Sequence, residues 1–278
     1  MLSDVQSRKP EANFKLTRVG VKGIKKPVCI KRKGKVVNLI ANIELFVDLP
    51  PTRKGSDLSR NAEIIEEIVD KSVRQPSKSL EDLCEKIVEE MLLRHEYASK
   101  AEVRINSDYF LERCTPGGKK SLEPYKIMAV VIKGRGGAAK KFIGVEVVGM
   151  TVCPCAMENI KAKYGEIYSH NQRNVASVFI ENDGSIDADE IISIIEKSMS
   201  TPTFEILKRG DEMEVVRKAH ENPKFVEDVV RDILKEIVSR YKNLPDSTVV
   251  IARSESFESI HKHNAFAERI TTIGELRK

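Results

Sequence analysis

The chain has 278 residues, 41% of them hydrophobic and 32% charged, with a formal net charge of +5. This is enough for one large domain or two ordinary ones around a packed core, and no apolar run approaches the ~18 residues of a membrane helix. The 47 Lys and Arg are interspersed with 42 Asp and Glu and there is no Trp. That argues against a nucleic-acid arm or an aromatic base-stacking platform and suits an anionic small molecule.

The first residues, "MLSDVQSRKPEANF", lack the apolar centre of a signal peptide, so a cytoplasmic location away from membranes is expected. From Phe14 to Leu49 the chain is rich in Val and Ile and reads as two antiparallel strands with "KRKGK" at the hairpin tip. "PPTRKGSDLSR" is a loop. Two amphipathic helices follow, "NAEIIEEIVDKSV" and "SLEDLCEKIVEEMLLRH", the second with Ser79 as N-cap. Strands return at "AEVRINSDYFLERC" and at "YKIMAVVIKGRGGAAKKFIGVEVVGMTVC", turning at "GRGG".

Beyond residue 150 the plan repeats. "NVASVFIEN" is a strand and "DADEIISIIEKSM" a helix. "NPKFVEDVVRDILKEIVSRY" is a longer helix, with Asn222 as N-cap and Pro223 at its first position. "STVVIARSESFESIH" is a closing strand. The order of strands, two helices and strands thus occurs twice, which predicts an α+β chain of two units, residues 1–145 and 146–278, with helices on one face of antiparallel sheet. Open sheet edges of this kind pair readily across subunits.

Five cysteines, Cys29, Cys84, Cys114, Cys153 and Cys155, do not form a disulfide framework in a reducing compartment. Cys84 and Cys29 read as core, and Cys114 has no assignable role. In "TVCPCAMENI", Pro154 is expected to keep the segment extended, so that Cys153 and Cys155 share a face. C-x-C without a second pair is neither a zinc ribbon nor a redox C-x-x-C. It leaves a single thiolate ligand or nucleophile, or two small buried hydrophobes.

His261 and His263 in "ESIHKHNAF" lie at i, i+2, one face of an extended segment. Such a pair suits one metal ion and equally a polar strand end. His170 sits in the polar "SHNQRN", and His95 and His220 read as surface residues. Glu227 lies on the flank of the apolar stripe of its helix, either leaning into a pocket or complementing the helix dipole. Glu212 is one of several acids in the expected loop "KRGDEMEV".

Taken in order, "VDLPPTRKGSDLSR", "CPCA", "HNQR", "LKRGDE", "ENPKFVEDVVRD" and "FESIHKHNAFA" resemble the type IB GTP cyclohydrolase family, in particular its archaeal branch of tetrahydromethanopterin biosynthesis. The resemblance covers residues 40–268 and implies the tunnelling fold, two tandem units of four-stranded antiparallel sheet with a helix pair, assembled as a homodimer or homotetramer with interfacial active sites. It implies GTP as substrate, opening of the guanine ring at C8 with release of formate, and a divalent metal, with Fe(II) expected and Zn(II) or Mn(II) as alternatives.

By this resemblance Cys153 is the metal ligand or catalytic thiol, with Cys155 behind it. His170, His261 and His263 share metal binding and proton transfer, and Glu212 is a metal-associated carboxylate. Glu227 anchors the guanine edge, while Arg173, Lys208 and Arg209 are candidate triphosphate cations. Bacterial members carry a histidine and a methionine where this chain has Ser56 and Leu58. The rival expectations are a folate-type cyclohydrolase releasing 7,8-dihydroneopterin triphosphate, and a purine- or pterin-binding module without catalysis.

Overall fold

The computed structural model describes residues 3–32, 34–182 and 184–278. Lys33, in the expected hairpin tip, lies outside the described residues. Among those described are nine strands and seven helices, divided between two compact units.

The first unit comprises Met1–Asp108, Met128–Ile143 and Asn182–Gly184. Strands β1 (Leu16–Arg32) and β2 (Lys35–Leu49) form the expected antiparallel hairpin, which closes at Arg32 opposite Lys35 over Gly34 at φ 76°. Strand β2 also pairs with β3 (Lys100–Cys114), Ile43 opposite Ile105 and Leu45 opposite Val103. Every second residue of β2 from Leu39 to Val47 is buried, the alternation of a sheet with one covered face. Helices α1 (Leu58–Arg74) and α2 (Leu80–Arg94) pack on each other, and α1 lies on β1. Their buried stripes are Ile64, Ile65 and Val69, and Leu83, Cys84, Ile87, Val88 and Met91. Cys29 and Cys84 are core residues as expected, and burial pushes the Cys84 thiol up.

His95, expected at the surface, is fully buried. It is the C-cap of α2, and each ring nitrogen has a partner: Nε2 lies 2.8 Å from Asn61 Oδ1 and Nδ1 2.9 Å from the Tyr97 hydroxyl. Tyr97 in turn bonds Ser56 Oγ at 2.8 Å, and the Arg53 guanidinium stacks 4.3 Å above its ring. Ser56 is thus spent on bracing its own loop.

The second unit comprises Tyr109–Ile127, Gly144–Glu181 and Ser185–Lys278. It uses the remainders of β3, β4 (Lys120–Gly134) and β5 (Ala139–Val152), followed by α3 (Pro154–Tyr164), β6 (Asn171–Glu181), α4 (Ala188–Ser198), β7 (Thr201–Pro202), α5 (Arg209–Glu221), α6 (Val226–Arg240), β8 (Val249–Ser256), β9 (Ala265–Thr272) and α7 (Ile273–Leu276). Strand β8 runs antiparallel to both β6 and β9. Helix α6 packs on β8, β9 and α4. Its stripe of Val229, Ile233 and Ile237 is fully buried, each side chain stabilising by ~1.5–3 kcal/mol.

Four local expectations are corrected. "CPC" is not extended throughout: Pro154 opens α3 at the first helical position, where its missing N–H has no intrahelical partner to lose. Asn222 and Pro223 do not start α6; Asn222 is the C-cap of α5, and α6 begins at Val226 with the Asp228 carboxylate accepting the Phe225 N–H at 3.0 Å. Glu212 lies in helix α5, not in a loop. The closing strand ends at Ser256, and a further strand, β9, follows. No helix among the described residues is long and apolar enough to cross a membrane.

Candidate active site

The site is built where β5 ends and β6 begins. Cys153 stays extended at φ −68°, ψ 115° and caps α3, its Sγ accepting the Ala156 N–H at 3.5 Å. After α3 the chain leaves through left-handed Gly165 and returns to the same point. There Ser169 Oγ donates to the Cys153 carbonyl at 2.7 Å, and the Cys153 N–H donates to the His170 carbonyl at 3.2 Å. Val152, Met157 and Ala219 form a small buried cluster that ties β5, α3 and α5 together beneath this junction. The structure therefore brings Cys153 and His170 together across 17 positions of sequence. Cys155, one residue into α3, is exposed and does not share the junction.

His170 is nearly enclosed, its side chain 13% exposed. Its Nδ1 lies 3.0 Å from Gln172 Oε1 and 3.6 Å from Glu258 Oε2. The Gln172 amide donates from Nε2 to Thr151 Oγ1 at 3.1 Å, and Thr151 Oγ1 lies 2.9 Å from Ser256 Oγ. Asn174 Nδ2 donates to Ser256 Oγ and to Ser254 Oγ, both at 2.8 Å. A seam of hydroxyls and amides thus runs from His170 between β5, β6 and β8, with Thr151, Asn174 and Ser254 fully buried.

His220, expected at the surface, is half-buried in the last turn of α5. Its Nδ1 lies 2.9 Å from the Val216 carbonyl and its Nε2 3.2 Å from the Ser169 carbonyl. It holds the residue before His170 in place. Sequence reasoning passed over Gln172, His220 and Glu258. For Gln172 a signal was present, because "HNQR" places it two residues after His170, on the same side of a chain extending into β6.

His261 and His263 are exposed in the β8–β9 hairpin loop, not on a strand. Their rings nevertheless stack, with centroids 5.0 Å apart and planes 13° from parallel. Asn264 Nδ2 donates to Glu255 Oε1 at 2.8 Å near the base of this loop. Glu227 is exposed in the first turn of α6. The start of α6 is close to the junction, because the Lys224 N–H donates to the Val152 carbonyl at 3.0 Å. Glu212 is exposed in the first turn of α5, two helical turns before His220, a separation of ~12 Å along the axis. Arg173 is exposed, its carbonyl accepting the Phe257 N–H at 2.9 Å. Lys208 caps α5 and lines a pocket of about 380 Å³ with Lys119, Gly117 and Asp211. Among the described residues, no three His, Cys, Asp or Glu side chains converge as a metal cluster. Among the described residues, Cys153 and His170 are joined through their backbones, and the rings of His261 and His263 stack.

Residues 2–267 match the type I GTP cyclohydrolase folE2 family, and the chain belongs to that family of enzymes. It is similar to the GTP cyclohydrolase MptA of Methanosarcina mazei, with 44% identity over 100% of this chain and 96% of that protein. The MptA proteins of Methanothermobacter thermautotrophicus and Methanobrevibacter smithii are 44% and 41% identical over 99% and 100% of this chain and 94% and 97% of theirs. Among solved structures, a uricase from Bacillus fastidious has a TM-score of 0.52 at 9% identity, covering 96% of both chains. A urate oxidase of Bacillus sp. TB-90 also reaches 0.52, at 10% identity over 92% of this chain and 100% of that one. These likenesses concern the fold.

Proposed function

We propose that this chain is a metal-dependent GTP cyclohydrolase that converts GTP to 7,8-dihydroneopterin 2',3'-cyclic phosphate, with release of formate and pyrophosphate, as the first step of tetrahydromethanopterin biosynthesis. The observation that carries the reading is the junction of Cys153 and His170 beside Glu258, in a chain whose full-length relatives are GTP cyclohydrolases. In this reading the two units are tandem tunnelling-fold units. They associate as a homodimer or homotetramer with interfacial active sites.

The donors present fit a divalent metal. His170 spends Nδ1 on Gln172 and keeps Nε2 for a ligand, and Cys153 adds a partly accessible thiol. Thiol, imidazole and carboxylate are the mixed set that Fe(II), Zn(II) and Mn(II) accept. Cys153 and His170 would hold the ion, and Glu212, His261 and His263 would complete the set across a subunit interface. Bound there, the ion supplies a Lewis acid and a more acidic water. Whichever of His170, His261 and His263 is not spent on the ion would move protons as the ring opens, a role suited to an imidazole near neutral pH. Glu227 accepts N–H bonds from the guanine edge, a charge-assisted contact roughly twice as strong as a neutral one. Arg173, Lys208 and Arg209 neutralise the triphosphate.

The test is GTP turnover by anaerobically prepared protein with Fe(II), with metal content and products measured together. Cyclic phosphate, formate and pyrophosphate are expected. Intact dihydroneopterin triphosphate would point to the folate-type reaction, and neither metal nor formate would leave a purine- or pterin-binding module. Undiminished turnover in His261→Asn would remove that residue from the site.

A further inference from the structure

The polar seam ends on one atom, Nδ1 of His170, and two oxygens converge there: Gln172 Oε1 at 3.0 Å and Glu258 Oε2 at 3.6 Å. Each ring nitrogen of a neutral imidazole is either a donor or an acceptor, and its partners choose which. The Gln172 amide aims Oε1 at Nδ1 and donates from its far end, Nε2, to Thr151 Oγ1. Thr151, having accepted that proton, is free to donate to Ser256, which also accepts from Asn174. Turning the amide over would aim its N–H at Nδ1 and would require an unprotonated Nδ1. That nitrogen's lone pair would then face the Glu258 carboxylate, and repulsion opposes this state. Both neighbours therefore favour a proton on Nδ1.

We infer that Gln172 and Glu258 are positioning residues that hold His170 as its Nδ1–H tautomer and so present Nε2, with its lone pair, to the ligand of the site. The seam of Thr151, Ser256 and Asn174 supports Gln172 from behind. For the reaction, this inference rests on the reading of His170 as a metal or proton-transfer residue. Histidines that bind metals commonly donate their other N–H to such partners, and losing the partner costs about 10–100-fold in metal affinity.

The experiment separates the two claims. Metal-free protein carrying ¹⁵N-histidine is examined by long-range ¹⁵N–¹H correlation in mildly alkaline buffer, with His170→Gln assigning the signal. The wild-type ring is expected to carry its proton on Nδ1, Gln172→Glu to keep it there, and Gln172→Leu with Glu258→Gln to lose that preference. Zn(II) competition against a chromophoric chelator is expected to show affinity falling ~10–100-fold in Gln172→Leu and recovering in Gln172→Glu. A wild-type proton on Nε2 overturns the inference, as does a double variant that keeps the wild-type pattern. Wild-type protein that takes no Zn(II) from the chelator sinks the metal reading alone, since the spectrum of the metal-free ring still decides the tautomer. If the double variant does not fold, the wild-type and Gln172→Glu spectra decide.

Discussion

Replacing His95 with leucine tests how the first unit is held together. At neutral pH the variant loses both ring partners. Asn61 is fully buried, and its Nδ2 already has no partner. Without His95 its Oδ1 is bare as well, and an unpaired buried acceptor costs ~1–3 kcal/mol. Tyr97 is half-buried and keeps Ser56, so its loss adds ~0.5–1 kcal/mol. The expected destabilisation is ~2–4 kcal/mol, a large share of a typical ~5–15 kcal/mol. The pH dependence runs the other way. Burial, helped by Arg60 and Arg53 against Asp57, lowers the His95 pKa to about 4. The unfolded chain, with an ordinary value of ~6.5, binds this proton first as pH falls. Wild type therefore loses ~3 kcal/mol between pH ~6.5 and ~4 that the leucine variant cannot lose. Urea unfolding followed by circular dichroism should show the wild-type and variant curves converging on acidification. Adding Asn61→Leu should recover most of the neutral-pH loss, because removing both polar partners is nearly neutral. Parallel pH curves, or a double variant as unstable as the sum of the singles, would refute this account.

Ser79→Ala removes the side chain that accepts the Asp82 N–H at 3.1 Å; it should cost ~1 kcal/mol and ~2–4 °C in Tm. A methyl on Gly149 would lie 2.0 Å from Met199 Sδ and 3.2 Å from the Thr201 carbonyl, so Gly149→Ala should lower stability by ~1–3 kcal/mol. Met199→Ala in the same chain removes the clash but opens a cavity of its own, so the double variant should lose less than the sum of the two single losses, and calorimetry checks this. Burial raises the Asp48 pKa, but Lys15, Ser99 and the Lys100 amide outweigh it and hold the carboxyl below its usual range. Its contribution is present above the unfolded value of ~3.9 and lost as pH falls through the folded value. Asp48→Asn should therefore be less stable than wild type at neutral pH and flatter in acid, as denaturant titration will show.

The helices that were legible in sequence are those whose burial follows a continuous stripe. Ile64, Ile65 and Val69 mark α1, and Val229, Ile233 and Ile237 mark α6. Helix α5 buries only Asp211, Val215 and Ala219, too little for a periodic signal, and its first residues carry the glycine and charges of a loop. Missing α5 also displaced Asn222 from the end of one helix to the start of the next. His95 was misjudged for a related reason. In "LLRHEY" it looks like a polar helix end, and only the tertiary approach of Asn61 and Tyr97 encloses it. Pro154 is a local ambiguity: the same residue forbids a helix before itself and favours one after itself, and here the chain does both within "CPC".

The candidate site was partly legible because chemistry there overrides the sheet's own pattern. Along the buried face of β6, Ile180, Val178 and Ala176 give way to Asn174 and Gln172 on approach to His170. Strand β8 changes in step, with Val250 opposite Ile180 and Ala252 opposite Val178, then Ser254 opposite Ala176 and Ser256 opposite Asn174. An apolar face that turns to amides and hydroxyls toward the His170 end on both strands forgoes ordinary core packing, and each such group costs ~1–3 kcal/mol if left unpaired. The chain meets that cost by pairing the seam side chains with one another from Ser254 to Gln172. What the seam then supports is a single imidazole held at a fixed angle. The polarity switch on two paired strands could be read from the sequence once their register was known. The register depends on the β6–β8 pairing across 82 positions between Asn174 and Ser256, and local sequence carries no record of it.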